Sequence, residues 1–228
     1  LPTDIFGFSL FKNDSQSLQQ VKGRDIVTTL RRDLQYLAET HLKKTLDWTG
    51  AKAGEIIIMD PSTGQITALA TQPQYDQAYY QEYEAELYKN PALTNIFEPG
   101  SILKPLTVAA GIDTGVITPE TECPNCGGPR VIDKYTIRTW NDQYHPQITV
   151  KEALAKSDNV AMIHIAEELG IEKFKQYLKN FGLDENTELE LHENQTTPFP
   201  QKWGPVELAT RSFGQGITVT SLQMMRAM

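Results

Sequence analysis

Helical and strand-like periodicities both run through this sequence, so it predicts a protein of mixed α and β structure. Three observations carry that reading. Leu30, Leu34, Leu37, Leu42 and Leu46 recur at three-to-five spacing, the stripe of an amphipathic helix. Two β-rich runs, EIIIMD at 55–60 and QITALAT at 65–71, flank Pro61-Ser62-Thr63-Gly64 and read as a hairpin. Later, apolar helical runs are each stopped by a glycine, at Gly115, Gly170 and Gly182.

The elements follow in order. Residues 1–24 mix Pro, Asn, Asp, Ser and Gly without a period and are expected to form a linker or the tail of a preceding domain. The leucine-striped helix ends before Gly50, and the hairpin follows. Residues 72–96, rich in Tyr, Gln and Asn, are expected as surface loops with some helix. Pro99-Gly100 punctuates the chain, and a helix follows to about Thr114. Residues 116–148 read as mostly irregular, with one strand at 131–140. Thr149 and Glu152 form a capping-box pattern, so a short helix starts there. After Ser157-Asp158-Asn159 a helix runs to Leu169, another spans 171–181, and a third spans 205–213. Gly214-Gln215-Gly216 then breaks the pattern and reads as a structural loop, and Thr220 with Gln223 suggests one more capping box.

With 228 residues, 39% of them hydrophobic and 22% charged, the chain can bury a sizeable core. A formal charge of −8 argues against nucleic-acid binding, because no basic stripe is present to displace counterions. No apolar run approaches the length of a membrane span. The chain starts at Leu1 and stops at Met228 inside an apparent helix, so an internal piece of a longer protein is expected. The two cysteines, in Cys123-Pro124-Asn125-Cys126, fit a short-loop disulfide, a redox pair, free thiols or half a metal site. No second Cys-x-x-Cys exists to complete a zinc tetrahedron, and His145 alone cannot close one, so no metal is expected.

The chemistry concentrates in Ser101-Ile102-Leu103-Lys104. On a helix, residues three apart share a face, so hydroxyl and amine can meet. Pro105 is tolerated only in a helix's first turn, which places the helix start near Ser101. There the hydroxyl sits near unpaired backbone N–H groups, which favour an alkoxide and can hold an acyl oxyanion. A serine is a weak nucleophile until a base takes its proton. Lys104 can serve only if burial or a nearby cation holds it neutral. Ser-x-x-Lys is also a common accident: Ser9-Leu10-Phe11-Lys12 repeats it without a helix-start signal and reads as a decoy.

Ser157-Asp158-Asn159 falls between two helices, where a loop can point side chains into a cleft. Ser157 can bridge Lys104 and a leaving group as a proton relay. Asn159, with a donor and an acceptor, suits holding Lys104 and a peptide carbonyl together. Asp158 reads as the cap of the following helix. The alternative is that all three only cap that helix. S-x-x-K and S-D-N in this order are two of the three motifs shared by penicillin-binding proteins and class A β-lactamases.

Over roughly residues 24–228 the sequence resembles the transpeptidase domain of class B penicillin-binding proteins. The likeness includes Asp33-Leu34-Gln35, Met59-Asp60-Pro61-Ser62-Thr63-Gly64 and Phe97-Glu98-Pro99-Gly100-Ser101-Ile102-Leu103-Lys104-Pro105. It continues through 152–159 and ends in Phe213-Gly214-Gln215-Gly216-Ile217-Thr218-Val219-Thr220. The resemblance implies an α/β (α+β) fold with helices packed on a five-stranded antiparallel sheet, expected to be incomplete here because its C-terminal strands are missing, and a partial transpeptidase domain over residues 25–228. It implies that Ser101 is acylated by the penultimate D-alanine of a peptidoglycan stem peptide, with release of the terminal D-alanine and transfer to a neighbouring strand's amine. Lys104 would be the base, Ser157 the relay, Asn159 a substrate clamp, and the Ser101 N–H one oxyanion donor. β-Lactams would acylate the same serine, and no cofactor is expected. Other cell-wall synthesis proteins are the expected partners. The expected location is the extracytoplasmic face of the bacterial cytoplasmic membrane, anchored by an N-terminal segment outside this chain.

The third motif of the family, Lys-Thr-Gly or Lys-Ser-Gly, does not occur here, so the segment by itself is expected to be inactive or nearly so. Asn186-Thr187-Glu188 stands where relatives often have a Thr-Gly pair. The competing readings are a serine β-lactamase-like domain, a β-lactam sensor and a non-catalytic scaffold. A class A lactamase needs a Glu-x-x-Leu-Asn loop, and Glu193, followed by Asn-Gln-Thr-Thr, does not match it.

Overall fold

The computed structural model describes residues 25–187, 189 and 198–228. The expectations for residues 1–24, Glu188 and Glu193 concern positions outside these. The first helix, α1, spans Arg32–Thr49 and ends where the Gly50 N–H bonds the Leu46 carbonyl at φ 71°. Leu34, Ala38, Leu42 and Leu46 form its packed face, against Ala68, Ala70, Ile56 and Ile58. Leu30 and Leu37, expected in the same stripe, are 45% and 50% exposed. Leu30 precedes the helix, and Leu37 is turned about 100° from Ala38, off the packed face.

The expected hairpin is β1 (Gly54–Met59) and β2 (Ile66–Gln72), antiparallel, with Ile57 opposite Leu69. Asp60 closes its turn by accepting from the Ser62 N–H and hydroxyl. The outer edge of β2 is paired by the α1 segment. Gln35 donates to the Leu69 carbonyl at 3.0 Å and accepts from the Leu69 N–H at 2.8 Å, and the Arg31 N–H bonds the Thr67 carbonyl. A side-chain amide here does the work of a neighbouring strand, satisfying backbone groups that an edge leaves open.

Two 3₁₀ turns, Gln77–Glu82 and Ala85–Tyr88, and a short α2 (Pro91–Thr94) fill 77–94. They lead to β3 (Ile96–Phe97), a 3₁₀ turn over Gly100–Leu103 and α3 (Lys104–Asp113). The strand expected at 131–140 is instead two, β4 (Arg130–Ile132) and β5 (Tyr135–Ile137), folded back at Asp133, whose φ is 51°. The helices α4 (Val150–Ala155), α5 (Asn159–Leu169), α6 (Ile171–Asn180), α7 (Pro205–Arg211) and α8 (Ser221–Ala227) follow the expected order. Both capping boxes, Thr149 with Glu152 and Thr220 with Gln223, are formed. Strand β6 (Val219–Thr220) pairs with β3, so the chain closes back on the segment before Ser101. Among the described residues, the antiparallel pairing consists of three two-stranded ladders and one isolated bridge, Glu122 with Thr149.

Helix α5 is the centre of the main core: Val160, Ala161, Met162, Ile163, Ile165, Ala166 and Leu169 are all buried. It packs on α3 closely enough that a Cβ on Gly111 would lie 2.9 Å from the Ile165 side chain. Cys123 and Cys126 form a disulfide, and both are buried. That sets aside free thiols and half a metal site among the four readings of the pair. The Cys123 N–H bonds the Ile148 carbonyl and the His145 N–H bonds the Cys126 carbonyl, so these two backbone bonds join the bridged turn to the far end of the 123–148 excursion.

Candidate active site

Ser101 lies in the 3₁₀ turn just ahead of α3, exposed to solvent. The expected helix start is thus split: a 3₁₀ turn carries the serine, and the α-helix proper begins at Lys104, with Pro105 in its first turn. The Lys104 N–H bonds the Ser101 carbonyl, so the two residues bracket one turn. The Ser101 hydroxyl has no hydrogen-bond partner among the described residues, which leaves it free for an incoming group.

Lys104 is 1% exposed, one of the largest fully buried side chains among the described residues. Its Nζ donates to the Ser157 carbonyl at 2.6 Å, to Ser157 Oγ at 2.9 Å and to Asn159 Oδ1 at 2.8 Å. Burial pushes its amine down from 10.5 to about 8, and the Asp158 carboxylate opposes part of that. The pocket suits both charge states. Protonated, the amine donates to all three oxygens. Neutral, it donates to the carbonyl and the amide and accepts from the Ser157 hydroxyl, the one partner able to reverse its bond.

The wall facing Lys104 owes its shape to a strained residue. Ser157 adopts φ 56°, in the left-handed region that a side chain with a Cβ disfavours. This conformation turns the hydroxyl and the carbonyl of the same residue toward Lys104. It is held from both sides. The Ser157 N–H bonds Leu154 and the Asp158 N–H bonds Ala153, closing α4. Asp158, itself 2% exposed, accepts from the Val160 and Ala161 N–H groups and opens α5. The expected capping role of Asp158 is thus present together with the Lys104 contacts of its neighbours. The bond from Asn159 Nδ2 to the Arg138 carbonyl at 2.9 Å fixes which end of the amide faces the lysine.

Four anticipated residues therefore converge: Lys104, Ser157 and Asn159 in direct contact, and Ser101 one turn away at the surface. The residues that set their positions were not anticipated. The Arg138 carbonyl is one. The others are in 212–220, which fastens the segment on both sides of Ser101. The Gly100 N–H bonds the Gly214 carbonyl at 2.9 Å, Thr107 Oγ1 bonds the Ser212 carbonyl at 2.7 Å, and the Gly216 N–H bonds Glu98 Oε1 at 3.0 Å. Gly214, at φ 81°, approaches so closely that a Cβ would sit 2.2 Å from the Gly100 oxygen. Gly214-Gln215-Gly216 forms the expected loop, and it backs the turn that carries Ser101. The Gly-x-Gly spacing was the available signal, since two left-handed glycines permit close backbone approach.

Residues 54–228 match the transpeptidase family described as the penicillin binding protein transpeptidase domain. The chain is 31% identical over 215 residues to the probable peptidoglycan D,D-transpeptidase PenA of Neisseria gonorrhoeae, covering 90% of this chain and 35% of that protein. It is 32% identical over 196 residues to the stage V sporulation protein D of Bacillus subtilis, covering 83% and 30%. The solved transpeptidase domain of Burkholderia pseudomallei penicillin-binding protein 3 superposes with a TM-score of 0.77 at 29% identity, over 88% of this chain and 56% of that one. The chain thus spans about a third of the length of the curated relatives it matches.

Proposed function

The chain belongs to the penicillin-binding protein transpeptidase family, and from that premise we propose that the protein cross-links peptidoglycan stem peptides through an acyl-enzyme on Ser101. The observation that supports this most is the buried Lys104 amine, held by Ser157 and Asn159 one turn from an exposed serine. With its value near 8, about a tenth of the molecules carry a neutral amine at pH 7, against about one in 3,000 for an ordinary lysine.

Neutral Lys104 takes the Ser101 proton, directly or through the Ser157 hydroxyl, as Ser101 Oγ attacks the carbonyl of the penultimate D-alanine. The Ser101 N–H faces the developing oxyanion. The amide C–N bond breaks, the proton returns through Ser157 to the departing D-alanine amine, and an ester on Ser101 remains. A stem-peptide amine then attacks that ester, its proton passes to Lys104, and Ser101 leaves with a proton. Asn159 retains a second N–H and a second lone pair for the substrate backbone. A β-lactam follows the first half of this path, its strained amide opening onto Ser101.

This work requires the extracytoplasmic face of a bacterial membrane, and the buried Cys123–Cys126 disulfide suits such an oxidising compartment. Among the described residues no helix is long and apolar enough to cross a membrane. The assignment of residues 1–24 to a linker or preceding domain belongs to the same proposal.

The test is covalent labelling of the intact protein by a fluorescent penicillin, followed by peptide mass spectrometry. The adduct is expected on the peptide containing Ser101, and Ser101→Ala abolishes it. An adduct on another residue, or labelling that survives the substitution, overturns the assignment.

A further inference from the structure

We infer that Glu98 is a positioning residue for the nucleophile, acting through the Gly214-Gln215-Gly216 loop. This rests on the reading of Ser101 as the acylated serine.

The loop has no conformational preference that would hold it in place. Gly214 and Gly216 adopt φ 81° and 73°, and glycine enters that region about as readily as the mirror one. Helix α7 caps its first half, through the Gly214 N–H on the Arg211 carbonyl and the Gln215 N–H on the Thr210 carbonyl, and the Gly216 end depends on side-chain ties. Behind it, Arg211 Nε donates to the Gly216 carbonyl at 3.1 Å, and the guanidinium is fixed in turn by the Lys202 carbonyl and the Trp203 ring. In front of it, Glu98 Oε1 accepts the Gly216 N–H at 3.0 Å. Both backbone groups of Gly216 are thus held, the carbonyl by a buried cation and the N–H by an exposed carboxylate.

Position decides the consequence. Glu98 lies three residues before Ser101. The loop it grips returns the Gly214 carbonyl to the N–H of Gly100, the residue next to the nucleophile. Gly100 itself sits at φ 58°, so the turn presenting Ser101 is also built on a left-handed glycine. Glu98 and the Gly100–Gly214 bond make a closed circuit: Glu98 holds Gly216, Gly214 holds Gly100, and Gly100 sets the direction of Ser101. The β3–β6 ladder and the buried Thr107–Ser212 bond anchor the two flanks and the α7 cap holds Gly214 and Gln215, but none of these bonds Gly216.

An exposed hydrogen bond of this kind adds little to global stability. Placement of a reacting atom is far more sensitive, since a shift of about 1 Å can slow chemistry by about 100-fold. The contact needs an acceptor oxygen at Oε1, not a charge, because its donor is a neutral amide.

The experiment measures acylation of the intact protein by a fluorescent penicillin under stopped flow, separating non-covalent affinity from the acylation rate constant. Thermal melting is followed alongside. Glu98→Ala is expected to lower the acylation rate constant by about 10-fold, with affinity unchanged and the melting temperature within about 3 °C. Glu98→Gln, which keeps the acceptor, is expected to restore the rate to within about 2-fold. Equal rates in Glu98→Ala and the natural protein overturn the inference. So does a Glu98→Gln as slow as the alanine variant, which would assign the effect to charge. A loss confined to affinity or to melting also overturns it. Ser101→Ala in the same series separates the two levels: labelling that persists there refutes the serine assignment itself.

Discussion

The protonation of Lys104 offers the sharpest check on the proposed chemistry. The amine is 1% exposed and its value is about 8 where an ordinary lysine has 10.5. Only the neutral form takes the Ser101 proton, so acylation follows the neutral fraction. That fraction is about 1% at pH 6 and about 90% at pH 9, a rise of roughly 90-fold that levels off above a midpoint near 8. An unperturbed lysine gives about 1,000-fold over the same interval without a plateau. The assay is the second-order acylation rate of the intact protein between pH 6 and 9.5. It uses a β-lactam whose only ionisable group is its carboxylate. A rate still climbing tenfold per pH unit at 9.5 refutes the desolvated-amine argument, and a flat profile assigns the proton to another base. Stability is linked to the same group. The folded value lies below the unfolded one, so between about 8 and 10.5 the unfolded chain holds more protons and stability rises with pH. Below about 8 the penalty of burying the charged amine is present in full, about 3 kcal/mol at 1.36 kcal/mol per pH unit of difference.

Three further outcomes are expected. Asp158→Asn removes the charge that raises the Lys104 value while keeping an oxygen for the Val160 and Ala161 N–H groups. The midpoint of the acylation profile then moves to lower pH, and a move to higher pH contradicts the assignment. Ser157→Gly relieves the left-handed backbone by about 1 kcal/mol yet deletes the hydroxyl proposed as relay, with acylation expected to fall about 100-fold. Ser157→Ala loses the activity without the gain in urea resistance, and equal stability of the two variants removes the strain argument. Gly214→Ala drives a Cβ against the Gly100 oxygen and carbon at positive φ. It is expected to destabilise the protein by about 3 kcal/mol or more in equilibrium unfolding and to slow acylation, and a neutral effect contradicts the close approach.

Local signals were legible wherever a short stretch of chain satisfies its own needs. Both capping boxes are formed as read, because Thr149 with Glu152 and Thr220 with Gln223 satisfy N–H groups within four residues. The hairpin around Pro61–Gly64 and the glycine stops have the same local cause. The strand at 131–140 was misread because a turn at Asp133 carries no glycine or proline to announce it. Leu37 was misassigned because three-to-five spacing does not say which flank of the helix meets the sheet.

The candidate site divides the same way. Residue types and spacing within the chain identified Ser101, Lys104, Ser157 and Asn159, since hydroxyl, amine and amide each bring chemistry that few other side chains supply. Spacing could not show that Lys104 is buried, because desolvation is produced by residues more than fifty positions away that close over the amine. Nor could it show that Glu98, Thr107 and Arg138 hold the site in register, because their partners are backbone groups, which every residue carries alike. Side-chain identity alone named the candidate groups. Tertiary packing decided their separation, their protonation and the strain at Ser157, since those depend on distances that sequence does not encode locally.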